Sequence, residues 1–327
     1  MLAGVFSIWN WQNCCREGGV VTSGNLRFPL CGSVRLCGKI LSQRRKERKN
    51  TIFPFTVHTM TLSTVLITGA SGGIGSAAAK RFAAAGAEVV LHVHQNISAV
   101  KELQEIIKSQ GGKAEIVSAD FSQSNAAEKL YRQVFDLTDH IDILVNAAGL
   151  DLMLPSMVSL TFEQKLQQIW QTDVFTPIQL SRMIGKQMQE RKRGNIFFLG
   201  WNGVDYGWRG ETAQLYGTAK GALLGFSRSL AEDLAADVLV RYLSLGWIKT
   251  HWGEKLSEEK ERHYAADSRR NRWGTPEEVA AVIEFLSKDE SAYIDGIGLR
   301  LDGEKKSCRI VKTTFNNEWE SIDFRSV

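Results

Sequence analysis

The 327-residue chain has few cysteines, no long apolar run and no strong excess of one charge. Five cysteines are too few for a scaffold built on disulfides. Nowhere do apolar residues approach 18 in a row, which excludes a membrane-crossing helix. Forty Lys and Arg stand against 36 Asp and Glu, a formal net charge of +4. That total hides an uneven distribution. Residues 1–59 carry +7 and residues 60–327 carry −3. The leader also holds four of the five cysteines: Cys14, Cys15, Cys31 and Cys37. Their spacing does not suit zinc. The fifth, Cys308, falls near the end of the chain.

The leader has no sustained helical or strand period, and little order is expected before residue 60. Three readings of it stay open. It is a gene-start artefact, with Met60 as the start. It is an Arg-rich, acid-poor targeting segment, although Gly18, Gly19 and Gly24 disfavour an amphipathic helix. Or it is a basic patch at 44–49 that meets nucleic acid or a membrane. The rest of the chain is not basic, so neither nucleic acid nor membrane is an expected partner. Residues 304–327 are polar and mixed, an appended tail.

What is present from residue 60 is alternation. Short apolar runs at 64–68, 88–93, 114–118, 141–146, 195–199, 238–244 and 297–301 read as strands. Helical stretches fall between them, at 75–85, 98–109, 124–137, from 161 onward, and at 213–235. A further helix opens at Thr275, with Pro276 at its first position and Glu278 closing a capping box. Thr161 and Gln164 have the same capping spacing. Repeated strand–helix alternation predicts an α/β fold, a single doubly wound parallel sheet with helices on both faces. A (β/α)8 barrel shares the alternation; the glycine-rich first turn disfavours it. About 240 residues carry the pattern, which predicts one Rossmann domain over 60–303 rather than two.

That first turn reads Thr68-Gly69-Ala70-Ser71-Gly72-Gly73-Ile74-Gly75. Gly69 permits a tight turn, Gly73 lets backbone approach a pyrophosphate, and Gly75 lets the helix pack close to the sheet. The helix start offers free N–H groups and a positive dipole end. A glycine-rich turn alone is weak evidence, but its place between a strand and a helix strengthens it.

At this point several segments together resemble the short-chain dehydrogenase/reductase family, most closely its 3-oxoacyl-acyl-carrier-protein reductase branch. Residues 68–75 resemble its TGxxxGxG turn. Asn146-Ala147-Ala148-Gly149 resembles its NAG motif, and Tyr216-Gly-Thr-Ala-Lys220 its YxxxK motif. Ser118-Ala119-Asp120 is similar to its adenine-contacting segment. Gly246-Trp247-Ile248-Lys249-Thr250 is similar to the region beside the nicotinamide, and 272–278 and 301–303 to its closing segments. The resemblance spans about 62–303.

The resemblance implies a hydride transfer between a nicotinamide cofactor and a carbonyl or alcohol, with 3-oxoacyl thioester reduction among the candidate reactions. Tyr216 and Lys220 would be the catalytic pair. Gly69, Ser71, Gly73, Ile74, Gly75, Asp120, Asn146, Ala147, Gly149, Ile248 and Thr250 would hold the cofactor with them. The pair also has a reading from chemistry alone. Four residues apart on a helix, Tyr216 and Lys220 share a face. A free tyrosine ionises near ~10. A nearby ammonium should lower that value and let Tyr216 exchange a proton with a carbonyl oxygen. By resemblance Lys220 would also hold the cofactor ribose. The substrate would be a small carbonyl or alcohol, free or carrier-bound, and the protein a cytoplasmic homo-oligomer.

Cofactor choice rests on residues 91–96, Leu-His-Val-His-Gln-Asn. An NAD site would place an acid there for the ribose 2′-OH. None is present, which favours NADP, with NAD second; His94 or Asn96 could donate to a 2′-phosphate. No third ligand accompanies His92 and His94, so no metal site is expected.

The chain departs from the family in three places. Trp201 stands where the family has a substrate-binding Ser. Asp173 stands for its helix Asn, and Leu245 for the Pro before Gly246. Asn202, the Trp201 indole or Tyr206 could supply the missing hydrogen bond. The alternative to an enzyme is a degenerate relative that binds cofactor without turnover. Residues 249–274 should form a lid, with Trp247, Trp252 and Trp273 lining or bracing it. Arg269, Arg270 and Arg272 would meet an acidic carrier or only solvent.

Overall fold

The computed structural model describes residues 63–234, 236–251, 256–294 and 296–304. The leader, Met60, Trp252, Cys308 and residues 305–327 lie outside the described residues, and so do the expectations made for them.

Seven strands form one parallel sheet in the order β3-β2-β1-β4-β5-β6-β7. They are β1 Thr64–Thr68, β2 Glu88–Val93, β3 Lys113–Ser118, β4 Ile143–Asn146, β5 Gly194–Leu199, β6 Val238–Leu245 and β7 Ile297–Leu301. The helices are α1 Gly73–Ala84, α2 Ile97–Ser109, α3 Ala126–Phe135, α4 Pro155–Val158, α5 Phe162–Ile169, α6 Thr176–Arg191, α7 Gly203–Tyr206, α8 Glu211–Asp233, α9 Glu258–Ala265 and α10 Pro276–Leu286. The expected doubly wound sheet is the one observed.

Alternating side chains bury both faces of the sheet, as a parallel sheet requires. Val65 and Ile67 point to one face, where Ala78 and Phe82 of α1, Leu103 of α2 and Ile283 of α10 pack. Leu66, Leu144 and Phe198 point to the other, against Leu130 of α3, Ile184 of α6 and Leu230 of α8. The strand order reverses between β1 and β4, so the crevice outside their carboxyl ends is the switch point of the fold. Thr68 and Asn146 are register partners at that end.

Two capping boxes form where the spacing predicts them, at Thr161/Gln164 and Thr275/Glu278. Pro155, Pro177 and Pro276 each stand in the first turn of a helix. Two expectations need correction. The ladder of the fourth strand starts at Ile143, although Ile141 is buried just before it. The helix predicted over 124–137 is confined to α3, 126–135. The polar stretch 249–274 contains α9, capped by Ser257.

The helical run from Thr161 changes pitch in its middle. Residues Trp170–Phe175 form a π-helical turn between α5 and α6. Pro177 explains the position. Its ring clashes with the carbonyl four residues back, that of Asp173, and it has no N–H for the ladder. A wider turn accommodates both, and such turns often sit at functional sites.

Candidate active site

The glycine-rich turn is held from three sides. Gly69 has φ +69°, and a Cβ there would come within 2.7 Å of the Ala148 backbone. A Cβ on Gly75 would fall 2.3 Å from the Gly69 carbonyl oxygen. Both positions therefore need glycine. The Thr68 hydroxyl accepts the N–H groups of Ala147 and Ala148, each at 3.1 Å, which ties the first turn to the loop after β4.

The third support is His92, on β2, which the sequence reading left without a role. The Gly69 N–H donates to His92 Nδ1 at 3.2 Å, and His92 Nε2 lies 3.0 Å from the Ala119 carbonyl. Nδ1 accepts, so Nε2 carries the proton and donates to Ala119. The ring stacks on Phe121 at 4.4 Å. Burial pushes its pKa from 6.5 down to about 4, with the neighbouring His94 adding to the drop and the Ala119 bond opposing it. His92 is thus a neutral rivet between the phosphate turn and the end of β3. An apolar strand pattern carries no signal for this role.

Other expected cofactor residues fall around the same crevice. Gly72 caps α1 with no side-chain hydrogen bond, leaving the N–H groups of the first turn, which include Ile74, free of a side-chain cap. Ser71 is exposed at its mouth. Thr250 lies beside Gly73: its Cγ2 would be 3.4 Å from a Cβ there. Ile248 and Gly274 form a parallel bridge that pins this segment. A groove of about 720 Å³ runs between α1 and α10 beside the turn, lined by Gly73, Ser76, Lys80, Thr250 and Pro276. These residues fit a dinucleotide: a clash-free glycine cradle, an open helix start and no acid at the end of β2.

Asp120 accepts the Ser122 N–H at 2.9 Å and sits 3.5 Å from His94 Nε2. Burial alone would raise its carboxyl, but bonds from Ser122 and Gln123 outweigh it and hold Asp120 below the usual range. Asn96 spends its side-chain oxygen as the cap of α2, on the Ala99 N–H at 3.4 Å. Asn146 is buried, and its amide donates to Ser181 Oγ and the Phe197 carbonyl. It holds the ends of β4 and β5 together.

The reacting end is built on α8. Tyr216 and Lys220 share one face, as their spacing predicts. Lys220 Nζ lies 3.2 Å from Asp173 Oδ2. Asp173 is fully buried in the π turn, and its Oδ1 accepts the Leu150 N–H at 2.8 Å and the Thr172 hydroxyl at 2.9 Å. Gly149 packs against it: a Cβ there would press on Asp173 Oδ2 at 3.0 Å. The Tyr216 hydroxyl donates to the Leu150 carbonyl.

The expected lowering of the Tyr216 pKa is corrected. Burial, then the Asp173 and Asp151 carboxylates, push the phenol well above its ordinary value. Burial is the largest cause, and Asp173, the next, is also the carboxylate that pairs with Lys220 at 3.2 Å.

Trp201 stands two residues past the end of β5. Its backbone N–H donates to Tyr242 Oη at 3.4 Å, and its ring would lie 3.9 Å from a Cβ on Gly217. Tyr242, which the sequence reading missed inside an apolar strand, also donates to the Lys220 carbonyl at 3.0 Å. It therefore joins β5, β6 and α8 under the site. Two expected substitutes for the Ser are engaged elsewhere. Asn202 points to Asp302 Oδ2 at 3.4 Å, and the Tyr206 ring lies under Arg300 at 5.1 Å. Leu245 is buried, and its carbonyl accepts the Asn202 N–H.

Trp201 starts a chain of aromatic rings. It stacks with Trp208 at 6.4 Å, and Trp208 meets Trp247 edge-on at 5.6 Å. Trp247 packs on Tyr264 and Trp273 at 4.2 and 5.6 Å. The indole N–H groups of Trp247 and Trp273 donate to Asp267 and to the Glu261 carbonyl. The two tryptophans thus brace α9 and the stretch after it. Arg272 pairs with Glu278 at 2.6 Å and Arg269 with Glu304 at 3.6 Å, both at the surface.

Comparison with known proteins agrees with this fold. Residues 69–303 match a family model described as enoyl-(acyl carrier protein) reductase. The chain is similar to the 3-oxoacyl-[acyl-carrier-protein] reductase FabG of Aquifex aeolicus (strain VF5), 33% identical over 243 residues, covering 73% of this chain and 95% of the relative. FabG of Escherichia coli (strain K12) is 30% identical over 242 residues, with 73% and 95% covered. Among solved structures, a short-chain dehydrogenase/reductase from Serratia marcescens superposes with TM-score 0.66 at 26% identity, covering 74% of this chain and 96% of that one. A 3-oxoacyl (acyl-carrier-protein) reductase from Agrobacterium tumefaciens with NADP bound gives 0.66 at 26% identity, with 74% and 93% covered. Among the described residues, no helix is long and apolar enough to cross a membrane.

Proposed function

This chain belongs to the short-chain dehydrogenase/reductase family of oxidoreductases, and on that premise we propose that it reduces a ketone carbonyl with NADPH, the 3-oxo group of a carrier-bound acyl thioester being the substrate class its curated relatives suggest. The observation that carries the reading is the pairing of Tyr216 and Lys220 on one face of α8 beside the loop that Thr68 ties to the phosphate turn. When bound, the nicotinamide supplies the hydride. Tyr216 then gives its phenolic proton to the carbonyl oxygen and regains one from solvent. Lys220 steadies the ribose side of the pocket, and the Trp247–Trp273 brace holds water off the reacting end.

NADP is supported over NAD by the β2 end, where His92, His94 and Asn96 stand and no acid does. Asp120, in the loop after β3, lies 3.5 Å from His94 at that corner and is already bonded to Ser122 and Gln123. A cofactor-binding relative without turnover is the second reading. The specific observation in its favour is Trp201 at the family's Ser position, its indole facing the helix turn that carries Tyr216.

The test is NADPH and NADH consumption against 3-oxoacyl thioesters, enoyl thioesters and simple ketones, with calorimetric cofactor binding alongside. Tyr216→Phe should leave cofactor binding intact and lower the reductive rate by about 10²-fold or more. An unchanged rate in that variant refutes the mechanism. Cofactor binding with no turnover on any carbonyl favours the second reading.

A further inference from the structure

We propose that Asp173 is a positioning residue that claims the Lys220 ammonium and keeps Tyr216 a neutral phenol, so that the site holds its proton for a carbonyl across neutral and mildly alkaline pH and takes one from an alcohol only in alkaline solution. This rests on the reading of Tyr216 as the proton donor. Geometry carries it. Pro177 opens the π turn at Asp173 and turns a carboxylate into the fold with no exposure to solvent. A buried carboxylate needs a counter-charge and hydrogen bonds. Asp173 has both: Lys220 at 3.2 Å on one oxygen, and the Leu150 N–H and Thr172 hydroxyl on the other.

Leu150 is therefore clamped between Asp173, through its N–H, and Tyr216, through its carbonyl. A phenol suits that carbonyl because it donates. A phenolate there would meet lone pairs. The charged groups that face Tyr216 come from three elements: Lys220 from its own helix, Asp173 from the π turn and Asp151 from the loop after β4. The two carboxylates and burial oppose ionisation, and only the Leu152 N–H favours it.

The consequence is directional in pH. In reduction the phenol O–H bond breaks, the proton goes to the carbonyl oxygen, and the hydride from the nicotinamide completes the alcohol. In oxidation the reverse step needs the phenolate first. The reductive rate should therefore stay level through neutral and mildly alkaline pH, while the oxidative rate climbs with pH about tenfold per unit.

Asp173→Asn separates charge from clamp, because its amide oxygen can still accept from Leu150 and Thr172. The experiment follows tyrosine labelled with ¹³C at Cζ in the full cofactor-free chain, with the Tyr216 signal assigned by its loss in Tyr216→Phe. Wild-type Tyr216 should ionise above the ordinary value of about 10. In Asp173→Asn its midpoint should fall by about one to three pH units, a 10- to 1,000-fold stronger acid. The inflection of alcohol oxidation should fall with it. A wild-type midpoint at or below the ordinary value overturns the proposal, even if the variant does not fold. A folded Asp173→Asn with an unmoved midpoint overturns it too. A shifted midpoint in a protein that turns over no carbonyl supports this inference and refutes the reductase reading.

Discussion

Acid should loosen this fold through one buried imidazole. His92 is 2% exposed and keeps Nδ1 unprotonated to receive the Gly69 N–H. Its folded pKa is about 4 against 6.5 for the free side chain. The sign follows from which state takes the proton first. Above 6.5 both folded and unfolded chains hold a neutral ring, and His92 imposes no pH dependence. Between 6.5 and 4 the unfolded chain binds the proton and the folded one does not, so stability falls as pH falls. The full difference is about 3 kcal/mol, from 1.36 kcal/mol per pKa unit, of which about 2 kcal/mol is lost between pH 7 and pH 5. The assay is urea unfolding at those two pH values for wild type and His92→Phe. Phenylalanine keeps the stacking on Phe121 and removes the titration. The variant should be weaker at pH 7, by about 1–3 kcal/mol for each buried partner left unbonded at Gly69 and Ala119. Its further loss on going to pH 5 should be smaller than wild type's by about 2 kcal/mol. Equal losses in the two proteins would refute the reasoning.

Gly69→Ala forces a Cβ into a left-handed residue against the Ala148 backbone. It should cost about 1–3 kcal/mol in urea unfolding and weaken NADPH binding by calorimetry; retained affinity would remove the turn from the cofactor site. Trp201→Ser places a hydroxyl where the resemblance to the family expects one. It should raise the reductive rate by up to about 10²–10³-fold if the missing donor limits turnover, and steady-state assays with the same substrate panel decide it. No gain would mean that the indole itself is part of the working site.

The sheet was legible because its signals are local and redundant. The run 64–68 becomes β1 and 297–301 becomes β7 with the same boundaries, since apolar period and flanking turn residues coincide there. Thr275 and Glu278 cap α10 through backbone groups three residues apart, a spacing any sequence displays. The misses share a different cause. His92 and Tyr242 lie within apolar strands, and their partners are 22 to 41 positions away in sequence. Neither periodicity nor composition reports a bond over that separation. The Tyr216–Lys220 spacing was readable, but the sign of the pKa shift was not, because the third group, Asp173, sits 47 residues upstream of Lys220. Its orientation follows from the carbonyl that Pro177 disrupts, a clue present in the sequence and visible only once the π turn is seen.

The two substitutions at the reacting end load the same group. On the proposed reading, Trp201 stands where a hydroxyl would share the carbonyl oxygen on the substrate side, and Asp173 holds the Lys220 ammonium at 3.2 Å. Tyr216 is then left to bind the oxygen and to deliver the proton. A phenol held above its ordinary pKa does the first well, since it is always protonated, and the second less well, since it is a weaker acid. Such a site should show modest kcat with little loss of substrate binding. Restoring either partner alone should act mainly on kcat. Asp173→Asn strengthens the acid, and Trp201→Ser restores the second donor. On this reading both act on Tyr216, so their effects should not add. A double variant whose gain in kcat equals the product of the single gains would show that Trp201 and Asp173 act on separate steps.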